Sequence, residues 1–178
     1  ILIIGDGMDE QQLTIARNYL RGASGRLLLD TMPLRANSQI LATEDNDSGN
    51  PVYVADSANT ATSIATGAVT SRGRISTSAG SDLDLQTIAE LAAASGYRTG
   101  IVTTASVTDA TPAAFAAHIN HRLCEDPDNI EEVGYGNIVL GSCLDDMKIR
   151  GGKGSIAEQL VDSQLDVILG GGSKHFTP

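Results

Sequence analysis

Positive charge is scarce in this sequence: 12 Lys and Arg stand against 22 Asp and Glu over 178 residues, a net charge of −10. That balance argues against a nucleic-acid partner, because phosphate backbones are held by clusters of Lys and Arg. It also sets a problem for any phosphate chemistry, which would need its local field reversed; bound metal ions do this efficiently. Surface solubility, in a salty habitat for example, accounts for the same charge. Long apolar runs are absent too, none approaching the eighteen or so residues of a membrane span, so no membrane is expected as a partner. Only two cysteines occur, Cys124 and Cys143. As a disulfide they would contribute roughly 3 kcal/mol and imply an oxidising compartment; as free thiols they would be small core residues. No CxxC or Cys/His spacing surrounds them to suggest zinc.

Internal repeats, low-complexity tracts and linkers are also missing, which points to one domain. The start, "ILIIGDGM", has no initiator Met, basic n-region or cleavage site, so any signal peptide is expected to have gone. It begins as a strand, and "DVILGGGSKHFTP" stops just after one, so the sequence reads as part of a larger whole. What is present suffices for a core: hydrophobic residues make up 41%, within the range of folded soluble domains.

"ILII" fits a buried parallel strand leading into a loop. Residues 10 to 20 have near-helical apolar spacing, broken by "RGASG". Residues 33 to 43 read as a strand or extended segment, and 57 to 66 as a helix despite their threonines. "LDLQTIAELAAASG" predicts a helix stopped at Gly96, "YRTGIVTTAS" a strand, and "PAAFAAHI" a helix with Pro112 in its first turn. Residues 120 to 152 read as a long loop, followed by a helix in "GSIAEQLVDS" and a strand in "LDVILGGG". This alternation predicts an α/β protein with a mainly parallel central sheet flanked by helices. Ligands of such sheets gather beyond the carboxyl ends of the strands. Three polar clusters fall there: Asp6, the Asp56–Ser57 turn, and "VTDATP".

Each cluster carries two readings. Asp56 or Ser57 in "VADSANTATSIATG" would cap a helix, or Ser57 would be a nucleophile needing activation. Asp6, between two glycines, would form an Asx-turn or ligate a hard or borderline cation. Asp109 and Thr111 would cap the next helix or offer an oxygen pair to Mg²⁺. Arg122 would be solvated, or would match two phosphate oxygens with its planar fork. His118 and His121 read as structural. "LGGGS" lacks the Walker pattern, and no GxSxG elbow surrounds Ser57, so metal activation is the route left to this serine.

Taken in order, "IIGDGM", "YVADSANTATSIATG", "VTDATPAAFAAH", "HRLC", "GGKGS" and "DVILGGG" resemble the alkaline phosphatases, especially the bacterial type. The likeness runs over nearly the whole chain and is weakest at 44 to 50 and 125 to 147. It implies a metal-dependent phosphomonoester hydrolase, with 1–178 the N-terminal part of a single α/β catalytic domain. Ser57 would be the nucleophile, activated by zinc and transiently phosphorylated. Asp6 would bridge zinc and magnesium, and Asp109 and Thr111 would ligate magnesium. Arg122 would clamp phosphate oxygens, oriented by Asp56, and Cys124 and Cys143 would form a disulfide. The implied cofactors are Zn²⁺ and Mg²⁺, the partners small phosphomonoesters and inorganic phosphate, the location periplasmic or secreted, and the assembly a homodimer. Two departures stand out. Asp9 occupies a position where the family usually has Gly, adding a carboxylate close to Asp6. The family's other metal ligands are expected beyond residue 178. Alternative readings are a catalytically silent phosphate-binding fragment and a related phosphodiesterase or sulfatase.

Overall fold

The computed structural model describes residues 1 to 176, and these form two compact units, 1–39 and 40 onward. In the first, helix α1 (Glu10–Arg21) is started by Asp9, whose carboxylate accepts from the backbone of Gln11 and Gln12 while Gln12 returns a bond to the Asp9 N–H. The residue that departs from the family pattern is therefore a helix cap, which satisfies N–H groups that have no partner within the helix. Arg17 grips Asp30 with two bonds of 2.7 Å. Those bonds hold the Asp30 carboxyl well below the ordinary carboxylate range.

The expected first strand does not form. Residues 1 to 5 have no ladder partner among the described residues, and Ile1, Leu2 and Ile3 are exposed. A continuous apolar run encodes burial on both faces of a parallel sheet, and that burial has to come from neighbouring strands. Residues 33 to 43 are extended and reach a ladder only at Thr43, through single bridges to Pro51 and Ser71.

The second unit contains α2 (Ser57–Thr66), α3 (Ile88–Ala94), β1 (Gly100–Ser106), α4 (Ala110–Ala113), β2 (Val133–Tyr135), β3 (Ile138–Gly141), α5 (Ile156–Asp162) and β4 (Val167–Gly171). β1 pairs with β4 in parallel, Gly100 opposite Val167 and Ser106 opposite Gly171. The parallel sheet among the described residues is thus two strands wide, narrower than the central sheet expected. Its outward side chains, Val102, Val167 and Leu169, are exposed and apolar. The 120–152 region is more ordered than a loop: β2 and β3 form an antiparallel hairpin, turning at Gly136 with φ +62°.

Small side chains build the core. Ala58 and Ala61 of α2 meet Ala110, Ala113, Ala114 and Ala117, with Ile75, Ile119, Ile156 and Leu160 filling around them. Alanine faces let two helices approach closely, which brings the start of α2 near the end of β1.

Candidate active site

At the start of α2 the two capping candidates separate. Asp56 is the cap: its Oδ1 accepts from the Asn59 N–H at 3.1 Å, and the Asn59 side chain accepts from the Asp56 N–H at 2.8 Å. Buried Asn59 also donates to the Leu41 carbonyl at 2.9 Å, fixing the helix start to the preceding segment. Ser57 is left as the first helical residue, at the end where unpaired N–H groups and the helix dipole favour an anion.

Arg122 comes to this point by a backbone route. Ile75 and Ile119 exchange N–H to carbonyl bonds of 3.0 and 2.9 Å, and the Arg122 N–H donates to the Gly73 carbonyl at 2.7 Å. Gly73 has φ +81°, a left-handed backbone that a side chain would strain, and its N–H donates to Asp56 Oδ2 at 3.1 Å. Beyond Arg122, the Cys124–Cys143 disulfide is present as expected. The Cys124 carbonyl accepts from Ile156 at the start of α5.

The guanidinium closes the group. One terminal nitrogen donates to Ser57 Oγ at 2.7 Å and lies 3.4 Å from Asp56 Oδ2; the other donates to Asp109 Oδ1 at 2.7 Å. Asp56, Ser57, Asp109 and Arg122 thus meet. Asp109 caps α4, its Oδ1 also accepting from the Ala110 N–H at 2.7 Å. Thr111 is the second residue of α4 and half-buried. Asp6 belongs to the first unit, exposed in the turn ahead of α1. His121 accepts at Nδ1 from the Leu123 N–H at 3.2 Å, and burial pushes its pKa down despite the nearby Asp56. A cleft of 760 Å³ lies elsewhere, beside α3 and α5, and its polar side chains pair with one another: His118 with Glu90, Lys148 with Asp162, Lys153 with Asp84.

A serine hydroxyl bonded by one nitrogen of an arginine at a helix N-terminus groups donors of the kind that suit an anion. The family model described as alkaline phosphatase matches residues 1–178. The chain belongs to the alkaline phosphatase family. It is 47% identical over 176 residues to streptomycin-6-phosphate phosphatase of Streptomyces griseus, covering 99% of this chain and 36% of that protein. It is 43% identical over 180 residues to alkaline phosphatase of Escherichia coli strain K12, covering 99% and 35%. Its structure is similar to the cold-active alkaline phosphatase of the psychrophile Shewanella sp., with a TM-score of 0.68 and 29% identity, covering 98% of this chain and 36% of that one. The chain spans about a third of the length of these curated relatives.

The metals associated with alkaline phosphatases can be weighed against the donors here. Among the described residues no group of three or more His, Cys, Asp or Glu side chains is placed to hold an ion. The nitrogen or sulfur shell that zinc favours is therefore not assembled from them, and zinc does not fit this stretch. Asp109, its side chain 47% exposed, and the hydroxyl of Thr111 two positions on are oxygen donors of the kind magnesium takes.

Sequence reasoning did not foresee the Asp109–Arg122 ion pair, the Gly73 bonds that seat the arginine, or the cluster of Thr108, Glu125, Asp126 and His175. Each joins positions 13 or more apart in sequence, and no local pattern announces such contacts.

Proposed function

We propose that the protein carrying this chain hydrolyses phosphomonoesters through a phosphoserine at Ser57. The observation that carries this reading is the 2.7 Å bond from Arg122 to Ser57 Oγ at the start of α2. The guanidinium would exchange that bond for phosphoryl oxygens when substrate arrives, keeping its 2.7 Å hold on Asp109. Ser57 Oγ loses its proton and forms a bond to phosphorus as the bond to the departing alcohol oxygen breaks, and the alcohol takes up a proton. Water then attacks the phosphoserine, releasing inorganic phosphate and restoring the hydroxyl. Arg122 and the first N–H groups of α2 offset the charge on the equatorial oxygens in both steps.

Two carboxylates against one guanidinium leave the group negatively charged, so cations are needed to admit a phosphate. Magnesium would be held by Asp109 and Thr111. Divalent cations at such a site supply positive charge to the phosphoryl oxygens and lower the pKa of a serine hydroxyl. Relatives of comparable identity carry the names alkaline phosphatase and streptomycin-6-phosphate phosphatase, so the proposal extends to the phosphomonoester class and to no single ester. A disulfide is a device of oxidising compartments, which supports export to the periplasm or medium.

Labelled phosphate trapped in the intact protein at acidic pH tests the reading. Label is expected on Ser57 and absent from a Ser57→Ala variant that keeps the fold. Label that persists in Ser57→Ala would refute the assignment.

A further inference from the structure

Close in sequence to Asp109 and Arg122 stand members of a largely buried polar cluster with no part in the chemistry above. His175, in the 3₁₀ turn Ser173–Phe176 after β4, is 7% exposed. Its Nδ1 is 2.5 Å from Asp126 Oδ2 and its Nε2 is 3.0 Å from Glu125 Oε2. Each ring nitrogen thus faces a carboxylate oxygen. Thr108 Oγ1 lies 2.5 Å from the same Glu125 oxygen and spends its single proton there, so Ser106 Oγ donates to Thr108 across 2.6 Å. Burial pushes the Asp126 carboxyl up, but bonds from His175 and Asn129 outweigh it and hold the group below its ordinary value.

The positions of these residues matter more than their number. Thr108 immediately precedes Asp109, and Glu125 follows Arg122 by three residues. The same two segments are therefore tied twice, by Asp109 with Arg122 and by Thr108 with Glu125. His175 adds a third segment, the turn after β4, to the Glu125 tie. The Glu125 backbone is fixed as well, its carbonyl accepting from Ala157 at 2.9 Å.

We propose that Thr108, Glu125 and His175 are positioning residues that set the spacing of Asp109 and Arg122, and through it the affinity for a phosphate group. The proposal rests on the phosphomonoesterase reading above. A doubly bonded carboxylate can pin a loop within a few tenths of an ångström, and a bidentate clamp on phosphate loses affinity steeply when displaced further.

The test compares Thr108→Val, which keeps shape and removes the hydroxyl, with Thr108→Ser, which keeps the hydroxyl and removes a methyl. In the intact protein, inorganic phosphate is measured as an inhibitor of aryl phosphate hydrolysis and by direct binding. Phosphate is expected to bind about tenfold more weakly to Thr108→Val, and to Thr108→Ser within about threefold of the parent. A packing role predicts the opposite order, with thermal stability falling most in the serine variant. Should Thr108→Val fail to fold, His175→Ala against His175→Gln gives the same comparison, since the Gln amide can still donate to Glu125. Parent-like binding by Thr108→Val, or equal weakening in both Thr108 variants, would overturn the positioning role while the parent stays active. A parent that does not hydrolyse the aryl phosphate would instead overturn the phosphatase reading itself, and the role of the cluster with it.

Discussion

Asp146 should make the protein less stable as pH rises, and removing its charge should reverse this. Burial pushes its pKa up from 3.8 to about 6; the Asn120 N–H opposes the shift, while Asp82, Asp84 and Asp145 reinforce it. One carboxylate oxygen is buried without a hydrogen-bond partner. Between pH 3.8 and 6 the folded state binds more protons at this position than the unfolded chain, so stability falls as pH climbs through that window. Taken at full value the shift is worth about 3 kcal/mol, and because the residue is only half-buried, solvent screening reduces this to about 1–2 kcal/mol. Asp146→Asn keeps an oxygen for the Asn120 N–H and turns an amide toward the neighbouring carboxylates. Urea denaturation of parent and variant at pH 4, 5, 6 and 8 checks the argument. The variant should gain about 1–2 kcal/mol at pH 8, less at pH 5 and nothing near pH 4. A gain independent of pH, or none at pH 8, would refute it.

Arg122→Lys should weaken inorganic phosphate binding by about 10- to 100-fold, because an ammonium cannot hold Asp109 and two phosphoryl oxygens together; equilibrium binding decides, and a change under twofold would count against the clamp. Replacing Cys124 and Cys143 together with Ser should cost about 3 kcal/mol of stability and weaken phosphate binding too, since Cys124 stands two residues from Arg122. Mass mapping of unreduced peptides verifies the bond in the parent, and denaturation of the double variant measures its worth.

Much of the fold was legible where the signal is local. Helix α2 spans 57–66 as read from sequence, framed by Asp56 and by Gly67, which takes a left-handed C-cap at φ 77°. The helix expected over 112–119 is instead a single turn, α4, which starts two residues ahead of Pro112 at the Asp109 cap and ends at Ala113; it tolerates proline because the first N–H groups of a helix need no partner inside it. The 133–141 hairpin was missed although Gly136–Asn137 between apolar pairs is a recognised turn signal; its strands are three and four residues long and were lost in a polar stretch. The strand expected at residues 1–4 failed for the opposite reason, since an apolar run specifies burial and leaves the partner that supplies it unstated.

The candidate site shows where local reading ends. Sequence offered Asp109 as a helix cap or a magnesium ligand, and the structure adds the pairing with Arg122. These uses are compatible because Oδ1 alone serves both the Ala110 N–H and the guanidinium, while the carboxylate is 47% open to solvent. One carboxylate can therefore terminate a helix, aim the arginine and still present oxygen to a cation. Ser57 and Arg122 stand 65 positions apart. Their meeting depends on Ile75 facing Ile119, a pairing of two buried isoleucines that nothing in either flanking sequence specifies. The chemistry proposed for the site rests on residue types, a serine at a helix start and a forked cation, both suited to an anion. Its assembly could not be read that way, because it follows from packing of small side chains between α2 and α4, where many sequences with the same composition would have placed the arginine elsewhere.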